Sequence, residues 1–477
     1  MSAPREQFSS RLGFVLAAAG SAVGIGNLVG FPVNAAKNGG GAFLLIYALF
    51  IMFVCLPVVM AELAMGRHTS KGPVGAYSQI SQYQQPWPLA GLLGVITPFM
   101  IGVFYLVITI WLFGYTAMSA TGQLEYLASP ESFNEYINSP YIFAVMFLVV
   151  AIIFLILSSG VQKGIERAAR ILMPSLFVLL LVLVVFVMTL ENAVAGISFY
   201  VVPDFGKLNA GVINGALSQA FFSLSLGMGI LVTYGSYLNR KDNIIGAASM
   251  VAVADTTVAF IAGLLILPAI FSFNPDVNTA ELSDSSVSLI FVLLPKIFLA
   301  LQATLGYFGA SAVATIFFLL VFFAAITSLV SIIEVPVAYL IDEKNYSRKR
   351  ALTVLAIGGG ALTVMAALSF GAVQLFTEFI SYAGQNKSFF DVIVDVFYDT
   401  ILPLNGLLVC LFVSFRWKKY QLNAELELGN DRYRGSWMEK YVNFSLGSFI
   451  PVILLLIFCN TVAQKFFDYS LFGVLTA

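Results

Sequence analysis

Apolar residues run along this chain in long, nearly unbroken blocks rather than in the short alternation of strands. A helix needs about 20 predominantly apolar residues to cross a bilayer. Eleven blocks are of about that length, at roughly 12–36, 41–65, 88–120, 141–158, 168–190, 212–238, 244–272, 307–341, 350–369, 391–415 and 442–464. Each predicts a membrane-spanning helix, numbered here as spans 1 to 11. The first block starts after only eleven residues, and no small-residue cleavage site closes it, so it reads as a retained helix and not as a signal peptide.

The polar segments between the blocks predict an orientation. If the N-terminus faces the cytoplasm, all the lysines and arginines fall on inner segments except Lys37, Lys207, Lys296, Lys387 and Lys465. Basic residues accumulate on the cytoplasmic side of membrane proteins. The expected arrangement is a multi-pass protein of the cytoplasmic (inner) membrane with its N-terminus inside and its C-terminus outside.

Composition narrows the function classes. Of 477 residues, 59% are hydrophobic and 10% charged, against about 45–50% and about 25% in a soluble domain. No hydrophilic stretch is long enough for a soluble domain, and the partner of most of this surface is the lipid bilayer. A net charge of -1 argues against nucleic acid, and one histidine with three cysteines leaves little for a thiolate or imidazole metal site. Cys55, Cys410 and Cys459 lie inside apolar blocks and read as lone thiols.

Glycine inside a helix costs about 1 kcal/mol relative to alanine, so glycine clusters within spans call for an explanation. GSAVGIGN (Gly20 to Asn27) interrupts span 1, and SLSLGMG (Ser223 to Gly229) interrupts span 6. Interruptions at matching places in two five-helix halves point to a transporter built from inverted repeats. The breaks expose amides and carbonyls that lipid cannot satisfy, which suit a carboxylate and a small cation. Close packing of helices through small residues is the other reading of the same glycines.

Five motifs in order carry a resemblance: REQFSSRLGFVLAAAGSAVGIGNLVGFP at 5–32, NGGGAF at 38–43, AELAMGR at 61–67, QAFFSLSLGMG at 219–229 and FFAAITS at 322–328. The chain resembles the neurotransmitter:sodium symporter family, which includes the bacterial leucine transporter. The resemblance implies an all-α integral membrane fold with eleven transmembrane helices, inverted five-helix repeats and broken helices 1 and 6. Residues 1–477 would form one transporter domain, with repeats at 12–190 and 212–415 and an additional helix at 442–464. It implies no enzyme activity, but sodium-driven import of a neutral, apolar amino acid by alternating access.

The same resemblance assigns residues. One sodium ion would be held by the carbonyls of Gly20, Val23 and Ala324 with the hydroxyls of Thr327 and Ser328. A second would use the Ala22 carbonyl, Asn27, Ser223 and Asp255, completed by the substrate carboxylate. An acid at Asp255, where many relatives have asparagine, implies that chloride is not required. Ala22, Ile25, Gly26, Tyr105, Ser225 and Ser328 would surround the polar end of the substrate, with the Ile25 and Gly26 amides and the Tyr105 hydroxyl on its carboxylate. Ile101, Phe222, Met228 and Ile332 would line the apolar end. Amine-selective relatives carry an aspartate where this chain has Gly24, so the substrate is expected to bring its own carboxylate.

Gates are implied as well. Arg5 and Asp342 match the inner salt bridge, beside Ser236 and Tyr237, with Phe8 in place of the usual tryptophan. At the outer gate most relatives have arginine two residues before Pro32, but here the residue is Gly30; Asp399 is the matching acid and Gln219 is kept. Glu62 is expected to satisfy backbone groups at the breaks, and Glu334 to serve inner-gate packing or proton release. His68 is expected to be solvated, and 416–440 to be a plain connector. A non-transporting amino-acid sensor, a proton-coupled transporter and a channel are the competing functions. The sequence names neither the amino acid nor the oligomeric state.

Overall fold

The computed structural model describes residues 5–273, 287, 289–469 and 471. Nine helices among them are long and apolar enough to cross a bilayer: Gly41–Thr69, Trp87–Ala120, Tyr141–Ser158, Val161–Val187, Ile244–Phe273, Gln302–Lys344, Arg348–Ala367, Phe389–Glu427 and Trp437–Phe467. They correspond to blocks 2 to 5 and 7 to 11. Block 1 is a bent pair, Arg11–Ala22 and Gly26–Lys37. Block 6 is split into Ala210–Ser223 and Ile230–Gly235, each half too short to span alone. Both breaks fall where the glycine clusters place them, and the last residues of the chain lie outside the described set.

Burial sorts the helices into a centre and a rim. The most apolar stretch of span 8 is 78% buried and that of span 3 is 67% buried, whereas span 4 (22%) and span 9 (28%) face outward along most of their length. Rim side chains such as Phe147, Leu155, Val185 and Ile357 are exposed and apolar, as lipid contact requires. The broken spans 1 and 6 sit inside this ring, and their backbone breaks are shielded by spans 3, 7, 8 and 10.

Local sequence fixes the ends of the broken helices. Ser10 caps the first half of span 1 by accepting from the Gly13 amide at 3.1 Å, and Asn209 caps span 6 by accepting from Val212 at 3.0 Å. The motif AELAMGR lets span 2 reach span 6: a Cβ at Gly66 would collide with the Val232 carbonyl. At the end of the bundle away from Arg5, Ile380–Tyr382 and Gln385–Lys387 form a small antiparallel hairpin that the apolar blocks do not signal. It leads into span 10, whose first helical turn is closed by a reciprocal Ser388–Asp391 cap.

Candidate functional site

The break in span 1 begins where helix Arg11–Ala22 ends. Val23 becomes extended (φ −72°, ψ 101°), and the chain re-enters a helix at Gly26 after a 56° bend. Gly24 lets this turn press against its neighbours, since a Cβ there would stand 2.6 Å from the Tyr105 hydroxyl and 2.8 Å from Ser328 Oγ. In span 6 the break runs from Leu224 to Gly229, with Ser225 and Gly227 at φ 54° and 74°. A Cβ on Gly227 would lie 2.6 Å from the Leu402 carbonyl, in a conformation that side chains disfavour.

Non-helical backbone at membrane depth must find partners within the protein, and here it does. The Ile25 amide donates to the Tyr105 hydroxyl (3.1 Å), the Gly24 amide to Asn27 Oδ1 (3.2 Å), and the Gly227 amide to Glu62 Oε1 (2.8 Å). Gln219 donates to the Gly26 carbonyl (3.2 Å), Ser225 to the Ser21 carbonyl (3.3 Å), and Asn405 to the Gly227 carbonyl (3.0 Å). Glu62 therefore sits where the sequence reading puts it. Asn405, which also reaches Thr97 at 3.0 Å, escaped that reading.

Two oxygen clusters flank the break. In the first, Ser328 Oγ stands 3.3 Å from the Gly20 and Val23 carbonyls and 3.2 Å from that of Ser21. Thr327 Oγ1 is 3.0 Å from the Ala324 carbonyl. A single hydroxyl hydrogen cannot serve three carbonyls, so this all-oxygen set retains acceptor capacity suited to a small hard cation.

The second cluster surrounds Asp255, which is fully buried. Its carboxylate accepts from Asn27 Nδ2 (2.7 Å), Ser223 Oγ (2.8 Å) and the Tyr47 hydroxyl (3.3 Å). All three partners are neutral, and among the described residues no basic side chain pairs with Asp255. An uncompensated carboxylate at this depth is costly, so the cluster suits a bound monovalent cation or a proton. Tyr47, the lone hydroxyl in an otherwise apolar stretch of span 2, was missed in the sequence.

Between the clusters lies a small cavity of about 20 Å³, lined by Ser21, Ala22, Gly24, Gly26, Ile101, Tyr105, Phe222, Ser225, Met228, Ser328 and Ile332. Of the substrate residues read from sequence, all but Ile25 line it. The Ile25 amide instead meets the Tyr105 hydroxyl, so these two groups are already paired to each other. Ser21 and Gly24 are additions.

On the Arg5 side the chain is closed. Arg5 pairs with Asp342, donates to Ser236 Oγ (2.6 Å) and lies 4.7 Å from the centre of the Tyr237 ring. Phe8 packs edge-on against Phe14, Tyr234 and Tyr237. Deeper, the Tyr237 hydroxyl donates to Glu334 Oε1 (2.6 Å), and Arg348 grips both Glu334 oxygens at 2.7 and 2.8 Å. Glu334 is thus a packed, charge-paired group, and Arg348 is its unforeseen partner.

On the opposite side Phe222 lies over Gly26 and meets Tyr398 edge-on at 4.4 Å. Above them opens a vestibule of about 270 Å³ bounded in part by Asn34, Gln219, Tyr398 and Asp399. Gln219 accepts from Asn34 at 2.9 Å. Asp399 lies at this vestibule and pairs with Lys465 of span 11 at 2.7 Å. Nearby, burial and then the hydrogen bond to Asp395 hold the Tyr382 phenol above its ordinary pKa, so it remains a donor.

His68 is exposed, as expected, and its inner edge meets Glu425 (Nδ1 at 3.2 Å) and the Trp417 ring. One further expectation needs correction. The segment 416–440 is no plain connector: helix Lys419–Glu427 buries Glu425, which accepts from Arg67 Nε at 2.7 Å. Arg67 is itself buried and needs that partner.

Comparison with known proteins places this geometry. The chain matches the model of the Sodium:neurotransmitter symporter family over residues 5–140 and 138–470. It is 34% identical over 468 residues to the sodium-dependent transporter YhdH of Bacillus subtilis, covering 96% of this chain and 97% of that protein. It is 36% identical over 368 residues to a sodium-dependent transporter of Methanocaldococcus jannaschii, covering 74% and 73%. The sodium- and chloride-dependent taurine transporter of Homo sapiens is 28% identical over 343 residues, covering 61% of this chain and 54% of that one. Among solved structures, MhsT in complex with L-phenylalanine superposes with a TM-score of 0.82 at 38% identity, covering 96% of this chain and 99% of the other.

Proposed function

Because the chain belongs to the sodium:neurotransmitter symporter family, a family of membrane transporters and not of enzymes, we propose that it imports a neutral, apolar amino acid by sodium symport. The observation that carries this reading is the buried Asp255 carboxylate with only neutral partners, set beside a small pocket with a polar and an apolar end. Two sodium ions are cargo, one at Gly20, Val23, Ala324, Thr327 and Ser328, the other at Ala22, Asn27, Ser223 and Asp255. Since Asp255 supplies a fixed negative charge, chloride is not needed.

Crowding at Gly24 supports a substrate with its own carboxylate, because no acidic side chain fits there beside Tyr105 and Ser328. The Gly26 amide and the Tyr105 hydroxyl receive that carboxylate, with the Ile25 amide turning from Tyr105 toward it. Ser225 and the carbonyls at the broken helix ends receive the ammonium group. Ile101, Phe222, Met228 and Ile332 favour an aliphatic or aromatic side chain, and the bound L-phenylalanine of MhsT is consistent with that class.

The orientation proposed from the basic residues puts the Arg5–Asp342 closure on the cytoplasmic side and the vestibule outside. The described conformation is then shut inward, with a thin outer lid of Phe222 and Tyr398. Sodium binding stabilises the turn of span 1, the substrate completes the second ion's shell, and the two therefore bind cooperatively.

Uptake of labelled amino acids into proteoliposomes tests the proposal. An inward sodium gradient is expected to drive accumulation of an apolar amino acid, and choline or potassium is expected to abolish it. Accumulation driven by a proton gradient without sodium would replace sodium with a proton at Asp255. Sodium-dependent ligand binding without accumulation would make the protein a sensor.

A further inference from the structure

The outer mouth carries a charge cluster that the transport reading does not use. Asp395 and Asp399 stand one turn apart in the widened turns Val394–Ile401 of span 10. Both face Lys465, whose ammonium lies 2.8 Å from Asp395 Oδ1 and 2.7 Å from Asp399 Oδ2. The Tyr382 hydroxyl adds a hydrogen bond to Asp395 Oδ2 at 2.7 Å. Tyr398, adjacent to Asp399, is the residue that meets Phe222 edge-on over the pocket.

Lys465 belongs to span 11, the helix outside the two repeats. Leu454, Ile457 and Thr461 of that helix line the vestibule, and Lys465 continues their spacing of three to four residues. One face of span 11 is therefore a wall of the entry path, ending in a cation.

We propose that Lys465 is the cation of the outer gate, holding Asp395 and Asp399 together and thereby keeping Tyr398 against Phe222. Without it, two carboxylates one turn apart repel in a partly buried place, with side-chain exposures of 6% and 23%; Lys387 of the hairpin, 4.0 Å from Asp395 Oδ2, reaches Asp395 from the other side and does not bridge to Asp399. The widened turns relax, Tyr398 leaves Phe222, and the pocket opens outward more often. Lys465 acts as a positioning residue and does not touch the substrate. The inference rests on the transport reading for its substrate but not for its geometry, so two readouts separate them.

The first readout is labelling of a Met228→Cys reporter beneath Phe222 by a membrane-impermeant maleimide in sodium, in a Cys459→Ser background because Cys459 is the exposed native thiol. Lys465→Gln is expected to speed labelling about fivefold, on the scale of one charge-assisted contact, and Lys465→Arg to restore the parent rate. The second is uptake with Met228 intact, where Lys465→Gln should raise KM about tenfold with Vmax within about twofold. Should Lys465→Gln not fold, Lys465→Met removes the same charge while keeping a long side chain and is expected to speed labelling likewise. Equal labelling of Lys465→Gln and parent overturns the inference, as does Lys465→Arg behaving like Lys465→Gln. Absence of any amino-acid uptake by the parent protein overturns the transport reading instead, while the labelling result still decides the gate.

Discussion

Asn27 donates its amide nitrogen to Asp255 at 2.7 Å, while its carbonyl oxygen accepts from the Gly24 amide at 3.2 Å. One side chain thus joins the acid of span 7 to the turn of span 1. In the proposed cation site at Asp255 the Asn27 oxygen is a ligand, so occupancy is expected to turn the amide and free the Gly24 amide.

Asp255→Asn removes the one negative charge of this cluster. Half-maximal uptake is expected to need at least about tenfold more sodium, equivalent to about 1.4 kcal/mol of lost ion binding. The parent protein should transport equally well when chloride is replaced by gluconate. Uptake measured against sodium concentration, in both anions, checks both statements, and an unchanged sodium curve in the variant would remove Asp255 from the coupling mechanism.

How far this was readable in the sequence depends on whether the signal is local. The two breaks were legible because glycine clusters inside apolar blocks are costly wherever they occur, and Gly20 to Asn27 and Ser223 to Gly229 mark them directly. The Arg5–Asp342 pair, which the structure forms, was reachable only through the family resemblance. Tyr47 with Asp255, Arg348 with Glu334 and Lys465 with Asp399 were not. Each needs the rotation of one helix against another, and helices that are apolar on most faces do not record which way they turn. Glu425 was missed for a related reason: a hydrophilic stretch looks like a connector until its partner, the buried Arg67, is known.

Gly24→Ala tests how tightly the span 1 turn is packed. The added methyl would lie 2.6 Å from the Tyr105 hydroxyl and 2.8 Å from Ser328 Oγ, forcing apart the groups proposed to hold substrate carboxylate and sodium. Overpacking of this kind costs about 1–3 kcal/mol, so substrate affinity should fall at least about fivefold. Isothermal titration in sodium reads this out; an affinity equal to the parent's would mean that the pocket opens more widely than its closed form.

Glu62 has one oxygen on the Gly227 amide at 2.8 Å and the other without a partner among the described residues. Its contribution is expected to be a hydrogen-bond acceptor and not a charge. Glu62→Gln keeps the acceptor and should retain most uptake. Glu62→Leu strands the Gly227 amide at a cost of about 1–3 kcal/mol and should lower both thermal stability and uptake. A glutamine variant as impaired as leucine would show that the charge itself matters.

Arg348 and Glu334 form the innermost charge pair beneath the Arg5 closure, with side-chain exposures of 15% and 0%. Arg348→Met leaves a buried carboxylate facing only the Tyr237 hydroxyl, and breaking such a pair costs about 3–5 kcal/mol. Because the expense lies in the stranded charge and not in the lost attraction, Arg348→Met/Glu334→Gln should recover most of the stability, with Tyr237 still donating to the amide oxygen. Thermal unfolding of the detergent-solubilised protein in saturating sodium, compared across the single and double variants, measures this. Additive losses in the double variant would mean that each side chain is held by separate neighbours, and that the pair does not act as a unit in closing the Arg5 side.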